Sequence, residues 1–129
     1  MDLLLDTCAA LWWWEDSPQL STAARDAIAE PSHHVFFSAV SAMEIATKVR
    51  LGKLRIHSNL LNALPKAVRA SGWEGLPLSL ETAQQGGSLN WPHRDPFDRL
   101  LAAQAIIGGY ALITCDSRFQ DLNELALIW

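Results

Sequence analysis

The chain lacks any apolar run approaching the roughly 20 residues that a membrane-spanning helix needs. Its first residues, Met-Asp-Leu-Leu-Leu-Asp, lack the basic head and cleavage site of an export signal. A cytoplasmic protein is therefore expected, and a complement of only two cysteines, Cys8 and Cys115, is in keeping with that compartment. Positive charge is also short. Ten Lys and Arg against fourteen Asp and Glu leave a net charge of −4, which argues against a protein that simply coats nucleic acid but leaves room for a local basic patch. There is no internal repeat, linker or low-complexity stretch. Half of the 129 residues are apolar and 19% are charged, which describes one globular domain large enough for a real core.

Punctuation by Gly and Pro divides the chain into alternating elements. Leu3-Leu4-Leu5 is too short for a buried helix and reads as a central strand. Cys8 to Glu15 reads as a helix that Asp16-Ser17-Pro18 breaks, and Ser21 caps a second one reaching about Glu30. Val35-Phe36-Phe37 is β-branched and aromatic, hence a strand, and Val40 to Leu51 is a helix closed by Gly52. Further on, helices are expected over Asn59 to Ser71, Leu80 to Gln85 and from Pro96 to Ile107. Strands are expected over Leu76 to Leu78, Tyr110 to Thr114 and Leu125 to Ile128, the last at an edge. Such alternation predicts a three-layer α/β/α sandwich with a central, mostly parallel sheet of four to five strands.

In an open parallel sheet the loops leaving the carboxyl ends of the strands form the functional crevice. Asp6 ends the first strand and Asp116 follows the strand ending at Thr114. Glu44 lies early in the helix that leaves the Val35 strand, and Asp98 lies at the start of a crossover helix, whose N-terminus falls at the same edge. Two unit charges about 4 Å apart repel by roughly 4 kcal/mol at an effective dielectric near 20, so four converging carboxylates call for protonation or a cation. Oxygen donors without His or Cys suit Mg²⁺ or Mn²⁺ better than Zn²⁺, and such ions work on phosphodiesters. The pattern points to a metal-dependent nuclease. Each acid also has a structural use: Asp6 as a helix cap, Glu44 as partner of Lys48 one turn on, Asp116 as the start of an Asp-Ser-Arg turn. Their shared edge is what favours the functional reading.

The strings Leu-Leu-Leu-Asp-Thr-Cys, Ser-Ala-Met-Glu-Ile-Ala-Thr-Lys-Val-Arg-Leu-Gly-Lys-Leu, Asp-Pro-Phe-Asp-Arg-Leu-Leu-Ala-Ala-Gln-Ala and Leu-Ile-Thr-Cys-Asp-Ser-Arg-Phe resemble the motifs of PIN-domain proteins. The resemblance is greatest to VapC-type toxins of bacterial toxin-antitoxin pairs, and it covers nearly the whole chain in order. It implies a PIN fold over residues 1–129, an endoribonuclease using Mg²⁺ or Mn²⁺, an RNA substrate, a VapB-like antitoxin partner and a homodimer. The family's acidic quartet corresponds to Asp6, Glu44, Asp98 and Asp116, and its small hydroxyl residues to Thr7 and Thr114. None of the four acids is missing. Asp95-Pro96 is a helix-start signal that leaves Asp98 at the third helical position, either reaching back to the cap amide or facing the crevice; the resemblance implies Asp98 as the ligand and Asp95 as the cap, with a supporting role for Asp95 behind the metal left open.

Several features surround this site. Lys48, Arg50, Lys53 and Arg55 are the densest basic cluster, and Arg94, Arg99 and Arg118 lie beside the acids. Lys48, Arg118 and above all Arg99 are the candidate phosphate contacts, against a reading as solvated surface or salt-bridging charges. Trp12-Trp13-Trp14 cannot all face one core, because consecutive helical residues diverge by about 100°. At least one should be exposed or covered by a partner such as the antitoxin. Cys8 and Cys115 read as small buried residues on neighbouring strands. His33, His34, His57 and His93 show no ligand spacing and read as surface or loop residues, with an approach of His93 to substrate left open.

Rival functions fit less well. A dehalogenase-like phosphatase needs a second acid two positions after the first, where Cys8 stands. A phosphoacceptor receiver domain needs a lysine after the last strand. The stronger alternative is a non-catalytic RNA-binding or antitoxin-binding PIN module, which a complete acid set disfavours.

Overall fold

A computed structural model describes residues 1–129. Five strands, β1 (Asp2–Leu5), β2 (His34–Ser38), β3 (Glu74–Leu76), β4 (Ala111–Ile113) and β5 (Ala126–Ile128), form one sheet in the order β3-β2-β1-β4-β5, and every pairing is parallel. Seven α-helices connect them: α1 (Thr7–Trp14), α2 (Thr22–Ala29), α3 (Ala39–Arg50), α4 (Ser58–Asn62), α5 (Leu64–Ala70), α6 (Leu80–Ser88) and α7 (Pro96–Gly108). A 3-10 turn, Ser117–Asp121, joins β4 to β5.

Alternation along the strands builds the two faces of the core. Leu3, Leu5, Val35, Phe37, Ala111 and Ile113 point to one side, where they meet Ala9, Ala10, Ala24, Ile28, Leu64 and Val68 of α1, α2 and α5. Leu4 and Leu112 point to the other, against Leu101, Ala102 and Ala105 of α7 and against Phe119. Leu3, Leu4 and Leu5 are all fully buried, which is why the run is apolar throughout instead of alternating. β1 sits at the centre of the sheet, and the expected three-layer sandwich is the one observed.

Three element boundaries differ from expectation. The helix read over Asn59–Ser71 is two helices meeting at Ala63, because Pro65 has no amide to donate and its ring would strike the carbonyl four residues back. β3 is Glu74–Leu76, ending before Pro77. α6 continues through Gly86-Gly87 to Ser88. Gly86 is there for packing: a Cβ would stand 3.2 Å from the Arg99 carbonyl oxygen and 3.2 Å from Leu100 Cδ2, so its absence lets α6 lie close on α7.

The tryptophans find partners from several directions. Trp12 packs on Trp129, with centroids 5.7 Å apart, and Trp13 on Trp73 at 6.2 Å. Trp14 packs on Trp73 and Phe37, and its indole N–H donates to Ser71 Oγ at 2.8 Å. All three are half-buried by this chain alone, because the C-terminus and the segment before β3 wrap α1 where a single core could not. Cys8 and Cys115, expected to be buried, are exposed free thiols.

Candidate active site

The strand order reverses between β1 and β4: the chain first winds outward through β2 and β3, then returns to the other side of β1. Helices leaving such adjacent strands diverge, and a crevice opens between them. Asp6 stands at that point. Its amide still donates to Ile113 O at 3.0 Å as the last rung of the sheet, while its Oδ1 accepts from Ala9 N at 2.7 Å and caps α1. The side chain is almost wholly buried, and burial is the main cause that lifts its pKa to about 6. Hydrogen bonds from Thr114 and the Ala9 amide act against that rise, and the charges of Asp98 and Glu44 add to it.

Glu44, in the second turn of α3, faces α1. Thr7 Oγ1 lies 2.5 Å from Glu44 Oε1 and 3.0 Å from Ser41 Oγ. A hydroxyl has one proton, and the shorter contact to a charged acceptor takes it. Thr7 therefore donates to Glu44 and receives from Ser41. The other carboxylate oxygen, Oε2, accepts from Lys48 Nζ at 2.6 Å, one helical turn on.

Asp95 and Asp98 divide the start of α7. Asp95 Oδ1 accepts from the amides of Phe97, at 2.8 Å, and Asp98, at 3.2 Å, and Pro96 takes the first helical position. Asp98 thus projects from the third position, where its Oδ2 meets His93 Nε2 at 2.6 Å. Burial raises the Asp98 pKa, the His93 bond lowers it, and Asp95 and Glu44 raise it further.

Asp116 follows β4 and faces a fork. Its Oδ1 accepts from Arg118 N and Nε, both at 3.0 Å, and its Oδ2 from Nη2 at 2.6 Å. This pairing holds its pKa below the usual carboxylate range. Thr114 Oγ1 accepts the Asp116 amide at 3.1 Å, fixing the turn out of the strand.

Asp6, Glu44 and Asp98 thus lie within one another's electrostatic reach, and Asp116 joins them through Arg118 and His93. In the rotamers observed, Glu44, Asp98 and Asp116 turn to Lys48, His93 and Arg118, and no three His, Cys, Asp or Glu side chains are grouped to hold an ion. The structural uses foreseen for Asp6, Glu44 and Asp116 are all realised, alongside their common position at one edge of the sheet. A cavity of about 740 Å³ lies elsewhere, between α3, α5 and β3, and touches none of the four acids.

Two surrounding residues depart from the sequence reading. Arg99 does not offer its guanidinium to the crevice. Its nitrogens donate to the carbonyls of Gly86, Gly87, Leu89, Trp91 and His93 at 2.5–3.3 Å, which fastens the α6–α7 connection. A planar five-donor group suits such a cluster of carbonyls, and none of it remains for phosphate. His93, read as a surface or loop residue, does lie in the loop before α7, but its side chain is only 11% exposed and lies in the site. Its one sequence signal was a place five residues before Asp98 in a loop that must fold back onto the helix start.

Chain order and sheet order define a small α/β domain with a parallel five-stranded sheet, and residues 3–125 match the PIN domain family. The chain belongs to that family. It is 30% identical over 119 residues to Ribonuclease VapC22 of Mycobacterium tuberculosis, covering 92% of this chain and 90% of that protein. The fold is shared with a chain of VapBC2 from Rickettsia felis, solved bound to a promoter DNA fragment (TM-score 0.72, 17% identity, 98% and 97% of the two chains). It is shared also with a chain of VapBC-1 from nontypeable Haemophilus influenzae (TM-score 0.67, 18% identity, 98% and 96%). No helix is long and apolar enough to cross a membrane.

Proposed function

We propose that this protein is a VapC-type toxin, a metal-dependent endoribonuclease held in check by a VapB-like antitoxin and working as a homodimer in the cytoplasm. The observation that carries the reading is Asp6: a buried carboxyl at the sheet's switch point, its proton affinity raised further by the neighbouring Asp98 and Glu44. The likeness to Ribonuclease VapC22 supports RNA as substrate, and the likeness to VapBC complexes supports the antitoxin.

The donor set fits Mg²⁺ or Mn²⁺. Asp6, Glu44, Asp98 and Asp116 supply only carboxylate oxygens, the ligand type these hard cations prefer, and would hold the ion between β1, α3, α7 and the end of β4. When bound, the metal supplies charge that stabilises the phosphodiester's developing negative charge and activates water. The chain's own residues do the rest. Thr7 fixes the Glu44 carboxylate from α1, so that two elements must be in register for the acid to be aimed. Thr114 sets the backbone that carries Asp116. Lys48 and Arg118, partly exposed cations paired with Glu44 and Asp116 at the rim, are the charges that would meet substrate phosphates.

The test is cleavage of a structured RNA panel with Mg²⁺, Mn²⁺ or chelator, comparing the parent with Asp98→Asn and Asp95→Asn at matched folded fraction. Metal-dependent cutting lost in Asp98→Asn and largely kept in Asp95→Asn is expected. No cutting by the parent with any metal would sink the nuclease reading in favour of a binding module.

A further inference from the structure

His93 sits between two of the acids in a way the family's acidic quartet does not include. Its Nε2 is 2.6 Å from Asp98 Oδ2, and its Nδ1 is 3.4 Å from Arg118 Nη1. Arg118 in turn grips Asp116 through Nε and Nη2. A guanidinium can only donate, so Arg118 presents a donor to Nδ1 and leaves that nitrogen as the acceptor. The imidazole proton then belongs on Nε2, facing the carboxylate. The result is a belt of hydrogen bonds, Asp116–Arg118–His93–Asp98, running from the turn after β4 to the first turn of α7.

The ring is locked from its other sides as well. It packs edge-on against Trp91, with centroids 4.9 Å apart, and Trp91 is itself buried against Phe119. The His93 carbonyl is held by Arg99 Nη1 at 2.8 Å, from the residue next to Asp98. Backbone and ring are thus both anchored to the structure that carries the acid. A hydrogen-bond donor so fixed leaves Asp98 Oδ2 one orientation and its other oxygen, Oδ1, free to act as a ligand.

We propose that His93 is a positioning residue for Asp98: an Nε2–H donor, oriented by Arg118, that fixes the carboxylate for the metal. This rests on the metal-dependent reading above. The analogy is with groups behind a metal ligand, whose loss typically weakens metal binding by about 10- to 100-fold.

The decisive measurement is the Mn²⁺ binding isotherm of the intact protein, by calorimetry or electron paramagnetic resonance, for the parent, His93→Phe and His93→Gln. His93→Phe keeps an aromatic ring on Trp91 but removes the donor, and a matched melting temperature verifies that the fold is kept. His93→Gln places an amide N–H near the position of Nε2. We expect Mn²⁺ binding about 10- to 100-fold weaker in His93→Phe and at least partly recovered in His93→Gln. Equal affinity of parent and His93→Phe would overturn the proposal, as would a His93→Gln no better than His93→Phe. A parent that binds no Mn²⁺ would overturn the metal-dependent function and this role together. An independent readout is the His93 tautomer from long-range nitrogen–proton NMR at pH 8. The Nε2–H form supports the assignment, and an Nδ1–H form contradicts it.

Discussion

Asp95 accepts the backbone amide of Asp98 at 3.2 Å, so one aspartate starts the helix from which the other projects. Both lie in the same four-residue stretch, yet their carboxylates point to different tasks. Asp95 satisfies amides that no helical carbonyl can reach, while Asp98 keeps its side chain for His93 and the crevice.

That division predicts opposite effects of two single substitutions. Asp95→Ala should cost about 1 kcal/mol of stability, the usual loss of a helix cap, and leave RNA cleavage within a few-fold of the parent. Asp98→Asn should melt at or above the parent temperature and lose at least about 100-fold in cleavage, as expected for a group acting in the reaction itself. Thermal melts paired with cleavage rates decide it, and a reversed pattern would exchange the two roles.

The raised pKa of Asp6 makes the metal-free protein pH-sensitive in a definite direction. Folding holds this carboxyl's pKa at about 6, above its unfolded value of 3.8, so the folded state binds the proton more tightly. Ionising it in the fold therefore costs stability. The cost is absent below pH 3.8, grows as pH rises towards 6 and is fully present above that. Asp6→Asn retains an oxygen to cap Ala9 and removes the charge. Denaturant unfolding should show it more stable than the parent at pH 8, by up to roughly 3 kcal/mol, with the gain shrinking towards pH 4. A pH-independent difference would contradict this origin.

Gly86 and Gly87 are neighbours in α6 with opposite surroundings. A methyl at Gly87 meets nothing within 4 Å, so Gly87→Ala should stabilise by about 0.5–1 kcal/mol through helix propensity. At Gly86 it meets the Arg99 carbonyl, which is backbone and cannot step aside. Gly86→Ala should destabilise by about 1–3 kcal/mol by forcing α6 from α7. The two melting temperatures, read side by side, test whether α6 and α7 are packed as described.

Arg99 is predicted to act through stability and not through RNA affinity. Arg99→Lys keeps the charge but cannot span five carbonyls, and it should cost at least about 2 kcal/mol. RNA affinity of the folded fraction, measured with a chelator present, should fall by less than about threefold, since a single contact to phosphate would cost more. A variant of full stability with weak RNA binding would restore Arg99 to the substrate.

The sequence by itself determined the parallel α/β architecture and most helix starts, and it marked the acids that share one edge of the sheet. Apolar runs of three residues can be buried only as short inner strands, and Ser21 and Asp95 mark helix starts because their side chains satisfy amides a few residues away. These are local matters, settled within one helical turn or one strand. The split of α4 from α5 was equally local, in Pro65, and was lost only because the apolar pattern runs on across it. Only the tertiary structure decided the fate of Arg99, His93 and the three tryptophans. Arg99 could meet phosphate or carbonyls with the same five donors, and the choice depends on which atoms the α6–α7 connection brings round it. His93 gained its place from that same clamp, and Trp12, Trp13 and Trp14 gained theirs from Trp129, Trp73 and Phe37, far away in the chain. A side chain's chemistry is written in its own letter, but its partner is set by packing between segments that no local pattern links.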